Sequence, residues 1–345
     1  MVAERVAART LELIDVPSES HDEGRLAEHV LAVLRDGGVP VRDAGDTCVI
    51  AGPSDAPIVL AGHFDTVPAQ DNRPGSRDAE TVHGLGACDM KGALAVMVEL
   101  ALAGVPARYV FFGREELPFH DSALTPLLAR EPGLREAELA VVMEPTTNTI
   151  HAGCVGNINA TLTARGKAGH SARPWNADNA VHRLAAAVSA VAAQPWVERE
   201  FEGLTFVEAM SVTKIAGGIA QNVIPDVATA HVNYRYAPGT SAANAEAALA
   251  DVIGAVSGVE LEIISNAPSG AVPPRSNPWV AKLLDAGLPW EPKQAWTPVA
   301  EFGLAGVDAI NLGPGEPRFA HTREEQVSVA ALVRSYELLE ALCRG

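Results

Sequence analysis

The chain is poor in cysteine and in basic residues, and it has no long apolar run. Its four cysteines, Cys48, Cys88, Cys154 and Cys343, are scattered over 345 residues without C-x-x-C spacing. That argues against a disulfide scaffold and against a structural zinc knuckle. They read as small buried hydrophobes, with Cys88 set apart by its neighbour Asp89. Lys and Arg number 26 against 43 Asp and Glu, a net charge of −17. Nucleic acid and anionic membranes are therefore poor partners, and an anionic substrate needs a local cationic pocket. No stretch reaches the roughly 18 to 20 apolar residues that span a bilayer. Met1 opens into a charged amphipathic segment rather than a signal peptide, so the sequence predicts a cytosolic protein.

A hydrophobic fraction of 48% with 20% charged residues is that of a soluble globular protein, and the length suggests about two domains. Leu26, Val30, Leu31 and Leu34 recur at helical spacing before Gly37-Gly38. Strands are expected around 47–51 and 57–62, and a helix over 91–103. Further β and α segments alternate to Glu144, which implies an α/β layer sandwich. After Cys154 the pattern changes. Strands over 155–166, 206–215, 227–236 and 258–264 with helices over 176–193 and 242–256 give the order β-α-β-β-α-β of a split βαβ, ferredoxin-like module. The expected organisation is a discontinuous catalytic domain, 1–154 and 268–345, interrupted by an inserted domain, 155–267. The returning segment carries a helix near 277–286, a strand at 309–312 and a final helix from about Glu325 to Leu342.

The apolar runs Ile58-Val59-Leu60, Tyr109 to Phe112 and Ala140 to Met143 read as strands buried on both faces of a parallel sheet. Each is followed closely by polar residues able to bind metal: His63 and Asp65, Glu115 and Glu116, and Glu144. Ligand sites of open α/β sheets lie at such carboxyl ends. In Gly62-His63-Phe64-Asp65, residues two apart point the same way, so Asp65 can hold one imidazole nitrogen of His63 and leave the other to a metal. Asp89, in Gly84-Leu85-Gly86-Ala87-Cys88-Asp89, precedes a helix, where it can serve as ligand or as cap. It occupies the third glycine position of a dinucleotide fingerprint, which removes that reading. Glu115 and Glu116 diverge in extended chain, so that one can bind metal while the other handles a proton. His321 returns to the main sheet with the last segment. Two histidines and three carboxylates can serve two metals if one carboxylate bridges, and mixed His and carboxylate ligation suits zinc, with cobalt or manganese able to substitute.

Ala61 to Pro68, Gly84 to Gly92, Glu115-Glu116, Met143-Glu144-Pro145-Thr146 and Ala320-His321 resemble, in order and spacing, the dinuclear zinc deacylases and exopeptidases. That family includes succinyl-diaminopimelate desuccinylase, acetylornithine deacetylase and zinc carboxypeptidases, and the actinobacterial-type desuccinylases look closest. The resemblance implies an α/β/α catalytic domain with an inserted lid and dimerisation domain, and two Zn2+ per chain. It implies His63, Asp89 and Glu144 as ligands of one zinc, and Asp89, Glu116 and His321 as ligands of the other. Asp65 would orient His63, Glu115 would be the general acid/base, and the Asp89-Met90 peptide would be cis. Gly169 to Pro174 resembles the family segment whose histidine, here His170, stabilises the oxyanion, typically across a homodimer. Gln221 to Pro225 and Asn233 to Tyr236 match as well, making Asn222 and Arg235 holders of substrate amide and carboxylate groups. Arg173 is a further cation for an anionic substrate.

The implied reaction is hydrolysis of the amide of an N-acyl amino acid, foremost N-succinyl-LL-2,6-diaminopimelate. Acetylornithine deacetylase and a dipeptidase or carboxypeptidase are the alternatives within the family, and a catalytically silent zinc-binding dimer the alternative outside it. Glu115, which no structural metal site needs, argues against the silent dimer. One segment departs from the family. Where many relatives have Thr-Asp-x-x-Arg-Phe, this chain has Thr297-Pro298-Val299-Ala300-Glu301-Phe302. Glu301 is accordingly expected either to neutralise a substrate-binding arginine or to bind the free amine of a diamino acid.

Overall fold

Four apolar segments become adjacent parallel strands because each is flanked by apolar surface on both faces. Arg108–Phe112, Ile58–His63, Leu139–Val142 and Ala309–Asn311 run side by side at the centre of an eight-stranded sheet, and every residue of these four strands is buried. The pair Val41–Gly45 and Cys48–Ala51 extends the sheet antiparallel on one side, and Ile150–Ala152 with Trp290–Pro292 extends it on the other. The computed structural model describes residues 2–345. No helix among them is long and apolar enough to cross a membrane.

The helix Lys91–Leu102 is buried on all sides from Lys91 to Ala101, as expected of a helix that is apolar all round. It packs between the sheet and the helices Val2–Asp15 and Val329–Arg344. Its first turn comes so close to the strand Ile58–His63 that a Cβ at Gly62 would press on Leu94 and Met90. The core here includes Phe64, Met90, Leu94, Met97, Tyr109 and Phe111, with Phe64 stacked on Phe111 at 5.7 Å. Each such side chain stabilises the fold by roughly 1.5–3 kcal/mol.

The chain forms two compact units. The larger contains the sheet just described and comprises the chain up to Gly153, Gly270–Lys293 and Thr297–Gly345. The smaller comprises Cys154–Ser269 with Gln294–Trp296, a short strip tied in by Gln294, whose side chain accepts from Val207 N and donates to Thr205 O. Its antiparallel sheet has the order Val197–Phe201, Leu204–Gly217, Val227–Tyr236, Gly156–Arg165, Val259–Ala267. Strand Gly156–Arg165 alternates buried and half-buried residues, and its buried side meets Leu184, Val191, Leu249 and Ile253 of two helices. The β-α-β-β-α-β order is present with additions. Val197–Phe201 is an extra edge strand, and Gly169–His170 pairs with Val223–Ile224 in a small separate ladder. The helix expected from residue 176 starts at Ala180, because Asn179 caps it by accepting from Val181 N and His182 N. The last helix starts at Val329 rather than near Glu325: Ser328 is its cap, and Gln326–Ser328 is drawn into a ladder with Thr81–His83.

Candidate metal centre

Register brings the polar residues together. His63 pairs with Phe112 and Ala61 with Val142, so three strands end at the same level and the residues just beyond them share one edge of the sheet. His63 is 1% exposed. Its Nε2 lies 3.1 Å from Asp89 Oδ1 and 3.6 Å from Glu144 Oε1. Its Nδ1 meets the backbone carbonyl of Asp65 at 2.9 Å, whereas the Asp65 carboxylate stands 3.6 Å away, beyond hydrogen-bond reach. The main chain of Asp65 takes the ring hydrogen bond, and its carboxylate, paired with the same ring nitrogen at 3.6 Å, adds an electrostatic hold on His63. The carboxylate has another task. It accepts from Glu115 N, Glu116 N and Ser20 Oγ at 2.9–3.0 Å, and so holds the loop that carries both glutamates.

Asp89 precedes the helix Lys91–Leu102, but the cap position is Met90, which makes no side-chain cap bond. The Asp89 carboxylate is turned instead between the two histidines, with Oδ2 3.5 Å from His321 Nε2. The Asp89-Met90 peptide is cis. Glu116 Oε1 lies 2.9 Å from His321 Nε2. Glu144 is buried, and its Oε1 has no hydrogen-bond partner. A Cβ at Gly313 would overlap the carbonyl oxygens of Met143 and Glu144, which is why the loop after the strand Ala309–Asn311 can lie against this segment. His321 is half-exposed, in the left-handed region at φ 61, with its carbonyl held by Gln70 Nε2.

Three sets of side chains each place one donor atom per residue within 4.8 Å of one another: His63, Asp89 and Glu144; Asp89, Glu116 and His321; and His63, Glu115 and Glu116. Asp89 is common to the first two. Burial pushes Glu144 up to about 7, with the Asp89 charge adding to it and His63 and Lys293 opposing. Burial and the Glu144 charge raise Glu115 well above the ordinary carboxylate range. Burial also raises Asp89, but bonds from His321 and His63 outweigh it and hold that carboxylate low. Asp89 and Glu116 lift His321 to about 11. So many acids raised by one another's charge, and a buried carboxylate oxygen without a donor, fit a site completed by cations, and the His and carboxylate donor set suits a borderline divalent ion.

The other site residues expected from sequence lie in the smaller unit. His170 is exposed, with Nδ1 accepting from Ala172 N. Its carbonyl accepts from Arg173 N, and Ser171 N donates to Asn222 O, so these residues form one local group. Arg235 is half-buried on Val227–Tyr236, its Nε donating to Asn233 Oδ1. Burial pushes its guanidinium pKa down, with Cys154 opposing.

Two glutamates differ from expectation. Glu325, read from the sequence as the start of a helix, is 2% exposed and bonds to the loop before Asp89. The signal for it was slight: an acid four residues after His321, before a short alternating stretch. Glu301 is 1% exposed, and its Oε1 accepts from Ser122 Oγ, Thr125 N and Thr125 Oγ1. A carboxylate so enclosed ties the helix Val299–Leu304 to Leu124–Arg130, which corrects the expectation that it meets a substrate amine or arginine. Burial pushes it up from 4.5 to about 7. The folded chain therefore binds an extra proton between these values, and stability falls as pH rises through that window, by up to about 3 kcal/mol. Glu301→Gln is expected to stabilise the protein by about 1–3 kcal/mol at pH 8 and by almost nothing at pH 4, as read by urea unfolding. Equal effects at both pH values would refute this reading.

Residues 153–259 match the family model described as peptidase dimerisation domain. The chain is 36% identical, over 97% of both sequences, to a Mycobacterium tuberculosis protein assigned as a succinyl-diaminopimelate desuccinylase. It is 33% identical to the succinyl-diaminopimelate desuccinylase of Corynebacterium glutamicum, over 95% of this chain and 94% of that one. Among solved structures, an M20 family metallo-carboxypeptidase from Sulfolobus solfataricus superimposes with a TM-score of 0.79 at 14% identity, covering 98% of each chain. With strands that end at a shared acid and histidine centre and an inserted dimerisation domain, the chain belongs to the M20 family of metal-dependent amidohydrolases, in the group that contains the succinyl-diaminopimelate desuccinylases.

Proposed function

We propose that this protein hydrolyses the amide of N-succinyl-LL-2,6-diaminopimelate to succinate and LL-2,6-diaminopimelate, acting in the cytosol as a homodimer joined through the smaller unit. The observation that carries the reading is the pair of donor groups sharing Asp89, with Glu115 beside them. His63, Asp89 and Glu144 would hold one Zn2+, and Asp89, Glu116 and His321 the other. Ions bound there supply Lewis-acid polarisation of a carbonyl and make a water more acidic.

Glu115 is the proton carrier. Its carboxylate takes a proton from water as the water oxygen bonds to the amide carbon, and gives that proton to the nitrogen as the C–N bond breaks. A carboxyl group raised by burial suits both halves of that task. Asp65 keeps Glu115 in place through its backbone N–H. His170 would donate to the oxyanion, and Arg173, Asn222 and Arg235 would bind the carboxylate and amide groups of the substrate. The desolvated Arg235 guanidinium supports carboxylate recognition in a chain of net charge −17. For the dimer, the support lies in strand Leu204–Gly217: Val197–Phe201 covers its outer edge only over Leu204–Glu208, leaving Ala209 onward open to strand addition.

The test is product identification by mass spectrometry with N-succinyl-LL-diaminopimelate, N-acetylornithine and a dipeptide panel. Release of succinate and diaminopimelate at a kcat/KM at least tenfold above the others is expected. Preference for acetylornithine or a dipeptide would move the specificity to that branch of the family.

A further inference from the structure

Asp89 can be shared by two donor groups only if its backbone is held still, yet it sits in a loop with glycines at Gly84 and Gly86, both at positive φ. Within the loop Ala87 N donates to Gly84 O and Lys91 N to Gly86 O, but these bonds leave the N–H groups of Gly86, Cys88 and Asp89 to other partners. Glu325 grips the loop from a distant part of the chain. Its Oε2 accepts from Gly86 N at 2.8 Å, and its Oε1 accepts from Cys88 N at 3.1 Å and Asp89 N at 2.9 Å. Its own carbonyl accepts from Gly84 N at 3.0 Å. A buried carboxylate is the side chain that offers two acceptor oxygens and no donor to such a fan of N–H groups.

We propose that Glu325 is the positioning residue for Asp89, and that it governs metal affinity at both halves of the centre without touching an ion. The proposal rests on the reading of Asp89 as the shared ligand. With the Gly86–Asp89 backbone fixed, Oδ1 faces His63 and Oδ2 faces His321; any rotation of the loop moves both oxygens at once. Loss of the anchor is therefore felt by both sites together, unlike loss of His321, which belongs to one donor group.

Glu325→Gln keeps the size of the side chain but sets an NH2 group against at least one of the N–H donors. Glu325→Asp keeps both acceptors on a shorter stem and covers the case in which the Gln variant does not fold. Glu324→Gln, on the exposed neighbouring residue, controls for the change in net charge. Cobalt titration of the metal-free proteins, read by visible absorption and by chelator competition, should show both equivalents bound about 10- to 100-fold more weakly in Glu325→Gln. Glu325→Asp should show a smaller loss, again at both, and Glu324→Gln parental binding. Asp89→Asn, run alongside, should lose both. If Asp89→Asn loses both while the Glu325 variants bind both with parental affinity, or lose one only, the positioning role is overturned and the shared ligand stands. If Asp89→Asn itself keeps both, the shared-ligand reading fails. A lowered melting temperature of the metal-free Glu325 variants with unchanged cobalt affinity would mark Glu325 as structural only and overturn the proposal.

Discussion

Glu115→Gln should lower kcat by about 10²- to 10⁴-fold, equivalent to roughly 3 to 5.5 kcal/mol of barrier, while metal content, folding and KM stay close to those of the parent. The amide has nearly the shape of the carboxylate it replaces, and the backbone N–H of residue 115 would still be held by Asp65 Oδ1. What disappears is the capacity to take a proton from water and return it to the leaving nitrogen. Steady-state kinetics with metal analysis of the same preparation makes the distinction. Turnover within threefold of the parent would place proton transfer on another group, and loss of an equivalent of metal would make Glu115 a ligand through its set with His63 and Glu116.

Stripping the metal should abolish activity, and zinc or cobalt should restore it, with a pH signature set by the donor groups themselves. In the metal-free chain Glu144 is pushed up to about 7 by burial and by Asp89, and His321 is lifted to about 11 by Asp89 and Glu116. Both therefore hold protons near neutrality that an entering cation must displace. Affinity should weaken as pH falls through about 7, where Glu144 becomes protonated, and it should go on strengthening above 7 because His321 still has its proton to lose. Calorimetry in buffers of different ionisation enthalpy should register proton release. At a free metal concentration about 1,000-fold over Kd, binding adds about 4 kcal/mol to the folded state, so the metal-free protein should melt several degrees lower. Binding that is independent of pH and releases no protons would show that these side chains are not the ligands.

The sequence by itself determined the four central strands of the large sheet, the helix after Asp89, the β-α-β-β-α-β order of the inserted module and the residue types at the centre. It did not determine the short strands Val41–Gly45, Ile150–Ala152 and Trp290–Pro292 at the sheet margins. Burial on both faces leaves a continuous apolar run, burial on one face leaves alternation, and both are local signals. Strand Val227–Tyr236 falls on the residues expected of it. Less was legible where local signals compete. Val197–Phe201 is a short edge strand with three exposed residues, and its mark is the turn at Glu202 and Gly203, both at positive φ, that folds it back on Leu204–Gly217.

Only the tertiary structure decided how the polar side chains are shared out. A carboxylate can serve as ligand, cap, anchor or buried strut, and its local sequence is much the same in each case. Asp65 grips the backbone of Glu115 and Glu116 with its carboxylate and leaves its carbonyl to His63. Glu301 is enclosed by Ser122 and Thr125. Glu325 reaches Gly86 across 239 residues of chain. A hydrogen bond or a charge acts over a few ångströms in space, and which groups come that close is settled by strand order and register. The residues flanking each acid carry no record of it.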